Sequence, residues 1–203
     1  VFAGGSFNNI GGQTRLHIAS LDTSTGNANI WNPIANNVVN ALVVTAFKVY
    51  AGGEFTAIGG QFRNYIGELG DSSDSATAWN PDVNGTVNTI AVSGTTIYVG
   101  GSFTTFNGFA RNRIAAVNEN SNSPTAWNPN ANSVVRSLIV SGANVLAGGD
   151  FTTIGGQARN RIAALDVSTG SATAWNPNAS NSVNALAVSG TTIYAGGGFT
   201  AVG

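Results

Sequence analysis

The chain contains no cysteine and no methionine, a single histidine, and few charges: 8 Lys and Arg against 9 Asp and Glu in 203 residues. Without thiols there is no disulfide framework, no thiolate zinc site and no redox pair. Charged side chains make up 8% of the sequence, where about 25% is usual. With a net charge of −1 there is no basic field to steer nucleic acid or anionic lipid. No run approaches the roughly 18 consecutive apolar residues that a membrane-spanning helix requires. No signal-peptide pattern and no initiator methionine open the chain, so a mature or trimmed product is expected. Hydrophobic residues, at 42%, nonetheless supply a sizeable core, and the surface polarity falls to Gly, Asn, Ser and Thr.

What the sequence does contain is a repeat. Gly-Gly recurs at Gly4-Gly5, Gly52-Gly53, Gly100-Gly101, Gly148-Gly149 and Gly196-Gly197, a constant step of 48. Phe7, Phe55, Phe103, Phe151 and Phe199 keep that step, as do the Trp-Asn-Pro triplets beginning at Trp31, Trp79, Trp127 and Trp175. So do Arg15, Arg63, Arg111 and Arg159, and Ile18, Ile66, Ile114 and Ile162. Recurrence in fixed register means that each copy solves one packing problem with the same residues.

The copy around Val183 reads most clearly. Val183–Val188 and Thr192–Ala195 flank the turn Ser189-Gly190-Thr191, which makes a hairpin. In the preceding copy a loop, 151–160, leads to Arg161–Asp166, a turn ending in Gly170, and Ser171–Trp175, a second hairpin. Pro177 cannot donate to a ladder and stops the last strand. No segment carries helical apolar spacing over three turns.

Four short strands in 48 residues, repeated, predict an all-β chain: a β-propeller of four-stranded antiparallel blades. The strand after each Trp-Asn-Pro is placed innermost. Each Trp is placed where the blades diverge, filling the wedge between neighbours. The expected organisation is one propeller segment over 1–203, with units 2–49, 50–97, 98–145 and 146–193 and a partial unit 194–203. Val1 aligns with Val49, so about four blades plus one extra second strand are counted. This suggests a stretch of a longer array of five or more blades, or open edges that pair with another chain.

The string Ile193-Tyr194-Ala195-Gly196-Gly197-Gly198-Phe199-Thr200, with Ile154-Gly155-Gly156-Gln157-Ala158-Arg159-Asn160-Arg161-Ile162, resembles the delta-60 class of bacterial propeller repeats. It is similar also to the Kelch, or galactose-oxidase-like, group, in which a Gly pair ends the second strand. The resemblance implies a propeller from a large secreted or surface-attached protein, mostly of a kind without an assigned reaction. Ala164-x-Asp166-x-x-Thr169-Gly170 before Trp175, echoed by Ser20-x-Asp22-x-x-Thr25-Gly26 before Trp31, is similar to the tryptophan-docking motif of quinoprotein propellers. Four residues rather than three separate Gly from Trp, which turns the ring to the opposite strand face. A hairpin turn followed by a packing Trp accounts for the same residues.

No catalytic, metal-binding or cofactor-binding residues are assigned, and no cofactor is expected. His17, whose slot holds Tyr65, Arg113 and Arg161 elsewhere, is read as a solvated strand residue. Galactose-oxidase chemistry needs a cysteine that this chain lacks. Carboxylates are scattered without a recurring pair; Asp71 and Asp74 lie in one turn but fall short of a calcium ligand set. Arg15, Arg63, Arg111 and Arg159 are read as loop pins that donate to carbonyls of a loop with no ladder of its own. Asn84-Gly85-Thr86 and Asn178-Ala179-Ser180 match the glycan-acceptor pattern, which carries little weight in so Asn-rich a chain. The slot before each recurrent Phe holds Ser6, Glu54, Ser102 and Asp150, variable between fixed neighbours, and is the candidate recognition rim.

The expected role is that of a non-catalytic, rigid recognition, adhesion or spacer module of a bacterial secreted or cell-surface protein. Its partners would be a protein or glycan surface, or further copies of the chain, with no nucleic acid and no membrane insertion. The alternative is a structural subunit of an extracellular filament or array; a quinoprotein-type enzyme ranks below both.

Overall fold

The computed structural model describes residues 1–203, and every regular element in it is a strand. No helix is long and apolar enough to cross a membrane. The 48-residue step of the sequence becomes a succession of antiparallel sheets. Three are complete: Val39–Val44, Lys48–Gly53 and Ile66–Gly70; Val87–Ser93, Thr96–Gly101 and Ile114–Asn118; and Val135–Ser141, Asn144–Gly149 and Ile162–Asp166. These are the second, third and fourth blades. The first retains its middle and outer strands, Phe2–Gly4 and Ile18–Ser20; the fifth has its inner and middle strands, Val183–Ser189 and Thr192–Gly197.

The expected four-stranded blade is corrected to three strands and a remnant. The segment read as a fourth strand makes one bridge per copy: Leu21 with Ala28, Leu69 with Ala76, Val117 with Pro124, and Leu165 with Ala172. The cause is local. The next carbonyl outward, on Thr77, Thr125 or Thr173, is taken by a guanidinium, and the Thr hydroxyl accepts the N–H of the Trp two residues on, curling the chain out of the sheet.

A second correction concerns the loop after each Gly pair. It forms its own two-residue ladders, such as Ala57–Ile58 with Gln61–Phe62 and Thr153–Ile154 with Gln157–Ala158. The connecting pair is Gly59-Gly60 at φ 58° and 72°, and Asn107-Gly108 at 47° and 76° in the next copy. Both central residues of such a tight hairpin need positive φ, which Gly and Asn supply.

The Gly pair of the middle strand explains how blades stack. A Cβ on Gly52 would lie 2.4 Å from Val87 Cγ1 of the following blade, and one on Gly100 or Gly148 would lie 2.7 Å from Val135 or Val183. The first glycine thus vacates a hole for the inner-strand valine of the next blade. The second faces its own blade: a Cβ on Gly53 would meet Val38 O at 2.1 Å, beside the bulge at Asn40 where the register shifts. Val39, Val87, Val135 and Val183 are at most 1% exposed, and Phe55, Phe103 and Phe151 are equally buried. The apolar clusters span blade boundaries: Tyr50, Ile66, Trp79 and Val83 pack with Val87, Ile97, Phe103 and Val117.

The blades form an open arc in which the inner strands lie next to one another in succession. The outer face of the fifth blade is uncovered, and Tyr194 there is 57% exposed where its counterpart Tyr50 is 1% exposed.

Candidate functional site

The four arginines fixed by the repeat have one geometry. Each donates through one terminal nitrogen to the preceding carbonyl, and through the other to a carbonyl fourteen residues on: Arg111 to Ala110 O (2.9 Å) and Thr125 O (2.7 Å), Arg159 to Ala158 O and Thr173 O, Arg15 to Thr14 O and Asn29 O, and Arg63 to Phe62 O and Thr77 O. The loop hairpin is thereby fastened to the edge remnant.

The tryptophans clasp neighbouring blades. Trp31 Nε1 donates to Gly70 O and Ser73 O, Trp79 to Ser121 O, and Trp127 to Asp166 O, each 2.9–3.0 Å away in the following blade. Their rings meet Phe2, Tyr50 and Tyr98 of their own blades edge-on, at 4.9, 5.5 and 5.0 Å. Asp74, weighed above beside Asp71 as a calcium turn, accepts the Asn32 N–H at 2.6 Å through its carboxylate, and so belongs to this clasp. No group of three or more His, Asp or Glu side chains converges anywhere in the chain.

His17 departs from the sequence expectation. It lies outside the strands, half-buried, at φ 64°, and its Nδ1 is 3.1 Å from Gly5 O. Tyr65, Arg113 and Arg161 share that left-handed conformation, at 63–66°. In this kink the backbone of the His17 slot bonds the Phe slot on one side and the second glycine on the other, prolonging the ladder between middle and outer strands. The Asn84 side chain is engaged as well, accepting the Thr104 and Thr105 N–H groups and donating to Thr104 Oγ1.

The rim positions follow the second glycine and lie next to the inner-strand bulge. Ser6, Glu54 and Ser102 are exposed. Asp150 is held by Arg136 through two bonds, Nε to Oδ1 at 2.9 Å and Nη2 to Oδ2 at 2.7 Å. The guanidinium keeps the Asp150 carboxyl below the usual carboxylate range. In the second and third blades the bulge residue is instead Asn40 or Asn88, which reaches Val87 O or Val135 O of the next inner strand.

One cluster escaped the sequence reading. Between the second and third blades Lys48 Nζ stands 3.2 Å from Glu68 Oε2 and 3.4 Å from Glu119 Oε2, and the Tyr50 hydroxyl donates to Glu119 at 3.4 Å. Glu68 is 4% exposed. Burial pushes the Tyr50 phenol upward, and the two carboxylates push it further. For Lys48 burial alone would depress the pKa, but Glu68 and Glu119 outweigh it and the net shift is upward. A cleft of about 330 Å³ opens beside them, lined by Glu68, Thr77, Trp79, Glu119, Ser121 and Asn122. Lys48 occupies the gap between the carboxylates, so the site as built is a cross-blade ion cluster of net charge −1 with an acidic, hydroxyl- and amide-lined mouth. The cue in the sequence was a departure from the repeat: Glu68 stands where other copies have Ser20, Ala116 and Ala164.

A beta-propeller domain of unknown function (DUF5122) matches residues 96–122. No curated protein matches. Among solved structures, the computationally designed Ika8 protein overlays at a TM-score of 0.64 with 14% identity, over 91% of this chain and 51% of that one. BamB from Moraxella catarrhalis overlays at 0.54 with 18% identity, over 88% and 48%. The extracellular domain of BT4673 from B. thetaiotaomicron overlays at 0.55 with 18% identity, over 92% and 23%. The chain therefore spans about half the length of the first of these structures or less, and at such identities the likeness is one of fold: this is an all-β chain of propeller-type blades.

Proposed function

We propose that the chain is a non-catalytic recognition scaffold of a secreted or cell-surface protein, binding a protein or glycan surface through its rim. One observation carries the reading. The residues fixed across the copies are taken up by the framework: the first glycine and the Trp join neighbouring blades, while the second glycine, the Phe and the Arg secure strands and loop within a blade, whereas variation falls on the exposed slot of Ser6, Glu54 and Ser102 and on the acidic cleft at Glu119. Variable exposed positions on a rigid frame are where binding specificity is set. Carboxylate, hydroxyl and amide groups at those positions suit polyhydroxylated or weakly basic surfaces. The similarity to an extracellular domain supports a location outside the cytoplasm, and the resemblance of the repeat to delta-60 and Kelch repeats points the same way.

The test is a glycan array and a surface-protein panel probed with the intact chain and with Glu54→Lys, Ser102→Arg and Glu119→Gln. Binding that weakens at least tenfold in one of these variants, with unchanged melting, supports the proposal. Turnover of a glycoside or alcohol substrate, or binding indifferent to all three changes, refutes it.

A further inference from the structure

On the basis of the proposed recognition role, we infer that the two clefts between the first three blades form one site for a basic segment of a partner protein, each cleft taking an arginine or lysine side chain. Besides the cleft at Glu119, another of about 450 Å³ opens between the first and second blades. The two are one feature repeated. Ser20, Trp31 and Asp71 line the first, and Glu68, Trp79 and Glu119, each 48 residues on, line the second. Both lie at internal boundaries, with a blade on either side.

Departures from the repeat concentrate at these two boundaries. The slot of Asp71 and Glu119 holds Thr23 and Val167 in the other copies, and that of Glu68 holds Ser20, Ala116 and Ala164. Asp74, whose carboxylate already accepts the Asn32 N–H, stands where other copies have Gly26 and Gly170. Four carboxylates thus meet one ammonium, that of Lys48. The Arg63 guanidinium reaches Thr77 O at the second cleft, but it is spent on carbonyls and is not among the lining groups. Glu68 shows that the charge is not matched internally. It is 4% exposed, yet its buried Oε2 accepts no hydrogen bond: Lys48 Nζ lies 3.2 Å away in ionic contact only and donates to Glu119 instead. A buried carboxylate oxygen without a bonded donor is costly. Because Glu68 lines the cleft, a donor-rich cation entering there supplies the charge and the donors that the fold leaves out.

Two large apolar side chains set the class of partner. Ile30, which lines the first cleft, is 96% exposed, and Phe47, the residue before Lys48, is 79% exposed while its carbonyl accepts the Asp71 N–H. Other copies have alanine at the first slot and threonine or alanine at the second. Ala78, Ala126, Thr95 and Ala143 are exposed there too, so these slots face solvent within complete blades. Acids interleaved with exposed apolar groups complement a segment that alternates basic and apolar side chains. An amino-sugar chain brings the ammonium but leaves Ile30 unmatched.

The probe is a short synthetic peptide alternating leucine and arginine, titrated into the full chain while the indole N–H signals of the four tryptophans are followed by NMR. The signals of Trp31 and Trp79 should shift, and that of Trp127, at the boundary where Val167 replaces the acid, should not. A peptide with glutamine for arginine should bind about tenfold more weakly or worse. Glu119→Gln and Asp71→Asn should each weaken binding about fivefold and together abolish it, with circular dichroism unchanged. Phe47→Thr should weaken it several-fold, as should raising salt from about 50 to about 300 mM. Four results would each overturn the inference: no shift at about 1 mM peptide, equal binding of the glutamine peptide, binding indifferent to both acids, or a glucosamine oligomer that moves the Trp31 and Trp79 signals where the peptide does not. A partner from the glycan and protein panel whose binding depends on Glu54 or Ser102, and not on Asp71 or Glu119, would also overturn it while leaving the recognition role standing.

Discussion

The residue after each Trp-Asn-Pro offers a test in which the repeat is its own control. Ile34, Asp82, Asn130 and Asn178 all have positive φ, at 50°, 48°, 54° and 56°. In three copies the side chain there accepts an amide N–H: Asn64 to Asp82 at 2.8 Å, and Asn112 to Asn130 and Asn160 to Asn178 at 2.7 Å. In the first copy the two slots hold Ile34 and Leu16. A β-branched side chain in the left-handed region costs about 1–2 kcal/mol, a cost that Asn largely escapes. Asn130→Ile therefore adds that strain and removes an exposed hydrogen bond worth about 0.5–1 kcal/mol, a total near 2 kcal/mol. For a chain of this size the melting temperature should fall by roughly 4–8 °C. Asn130→Gly keeps the backbone and loses the bond alone, about 0.5–1 kcal/mol. Ile34→Asn runs the other way: relief of about 1–2 kcal/mol less about 1 for lost burial, since Ile34 is 47% exposed. It should leave stability unchanged or raise it by up to about 1 kcal/mol, and Leu16→Asn added to it should stabilise further by restoring the amide pair. Thermal and urea unfolding monitored by circular dichroism reads all four. If Asn130→Ile costs no more than Asn130→Gly, the strain argument is wrong.

Gly100→Ala sets a Cβ 2.7 Å from both Thr89 and Val135 and should cost about 1–3 kcal/mol; Gly196→Ala should leave the melting of the isolated chain unchanged. Trp127→Phe removes the N–H that Asp166 O accepts and should cost about 1–2 kcal/mol in urea unfolding, where Trp175→Phe costs less because its indole has no acceptor. Arg111→Lys loses the forked grip on Ala110 and Thr125 carbonyls, so amide exchange in Thr105–Ala110 should quicken several-fold; unchanged exchange would count against the pin. The backbone and hydroxyl of Thr25 and Thr169 hold Asp22 and Asp166 below their ordinary value of 3.8. Because the folded-state values lie lower, this stabilisation is present above the unfolded range and is lost as pH falls through the folded values. Melting should decline between about pH 5 and pH 2, less steeply in Asp22→Asn/Asp166→Asn.

Much of the scaffold could be read from residue identity because the repeat fixes residues that do one job each. Gly52 and Gly53 mark close approaches, Trp79 fills a wedge, and Val183–Ser189 is visibly a strand. The missing fourth strand is less legible: Ser171–Trp175 alternates like a strand, and it is the capture of Thr173 O by Arg159, with the Thr173 hydroxyl accepting the Trp175 N–H, that takes it out of the ladder. The kink at His17, Tyr65, Arg113 and Arg161 left no trace, since none of these residue types announces positive φ; the backbone bonds to the Phe and Gly slots impose it. The Gly59-Gly60 and Asn107-Gly108 pairs did signal hairpin turns inside a segment read as loop. The Lys48, Glu68 and Glu119 cluster joins side chains from two blades, so no local window contains it. Departures from a repeat are the better guide to such a site than the repeat itself.

Each Trp hook reaches forward, from one blade to the turn some forty residues onward, so the arc has a mechanical polarity. Pulled from the carboxyl end, it sheds blades one at a time: the fifth, which no hook grips, leaves first, and the fourth then opens the single hook from Trp127 while those from Trp31 and Trp79 stay closed. A force–extension trace would then record a sawtooth whose teeth each lengthen the tether by one 48-residue unit, about 160 Å of extended chain.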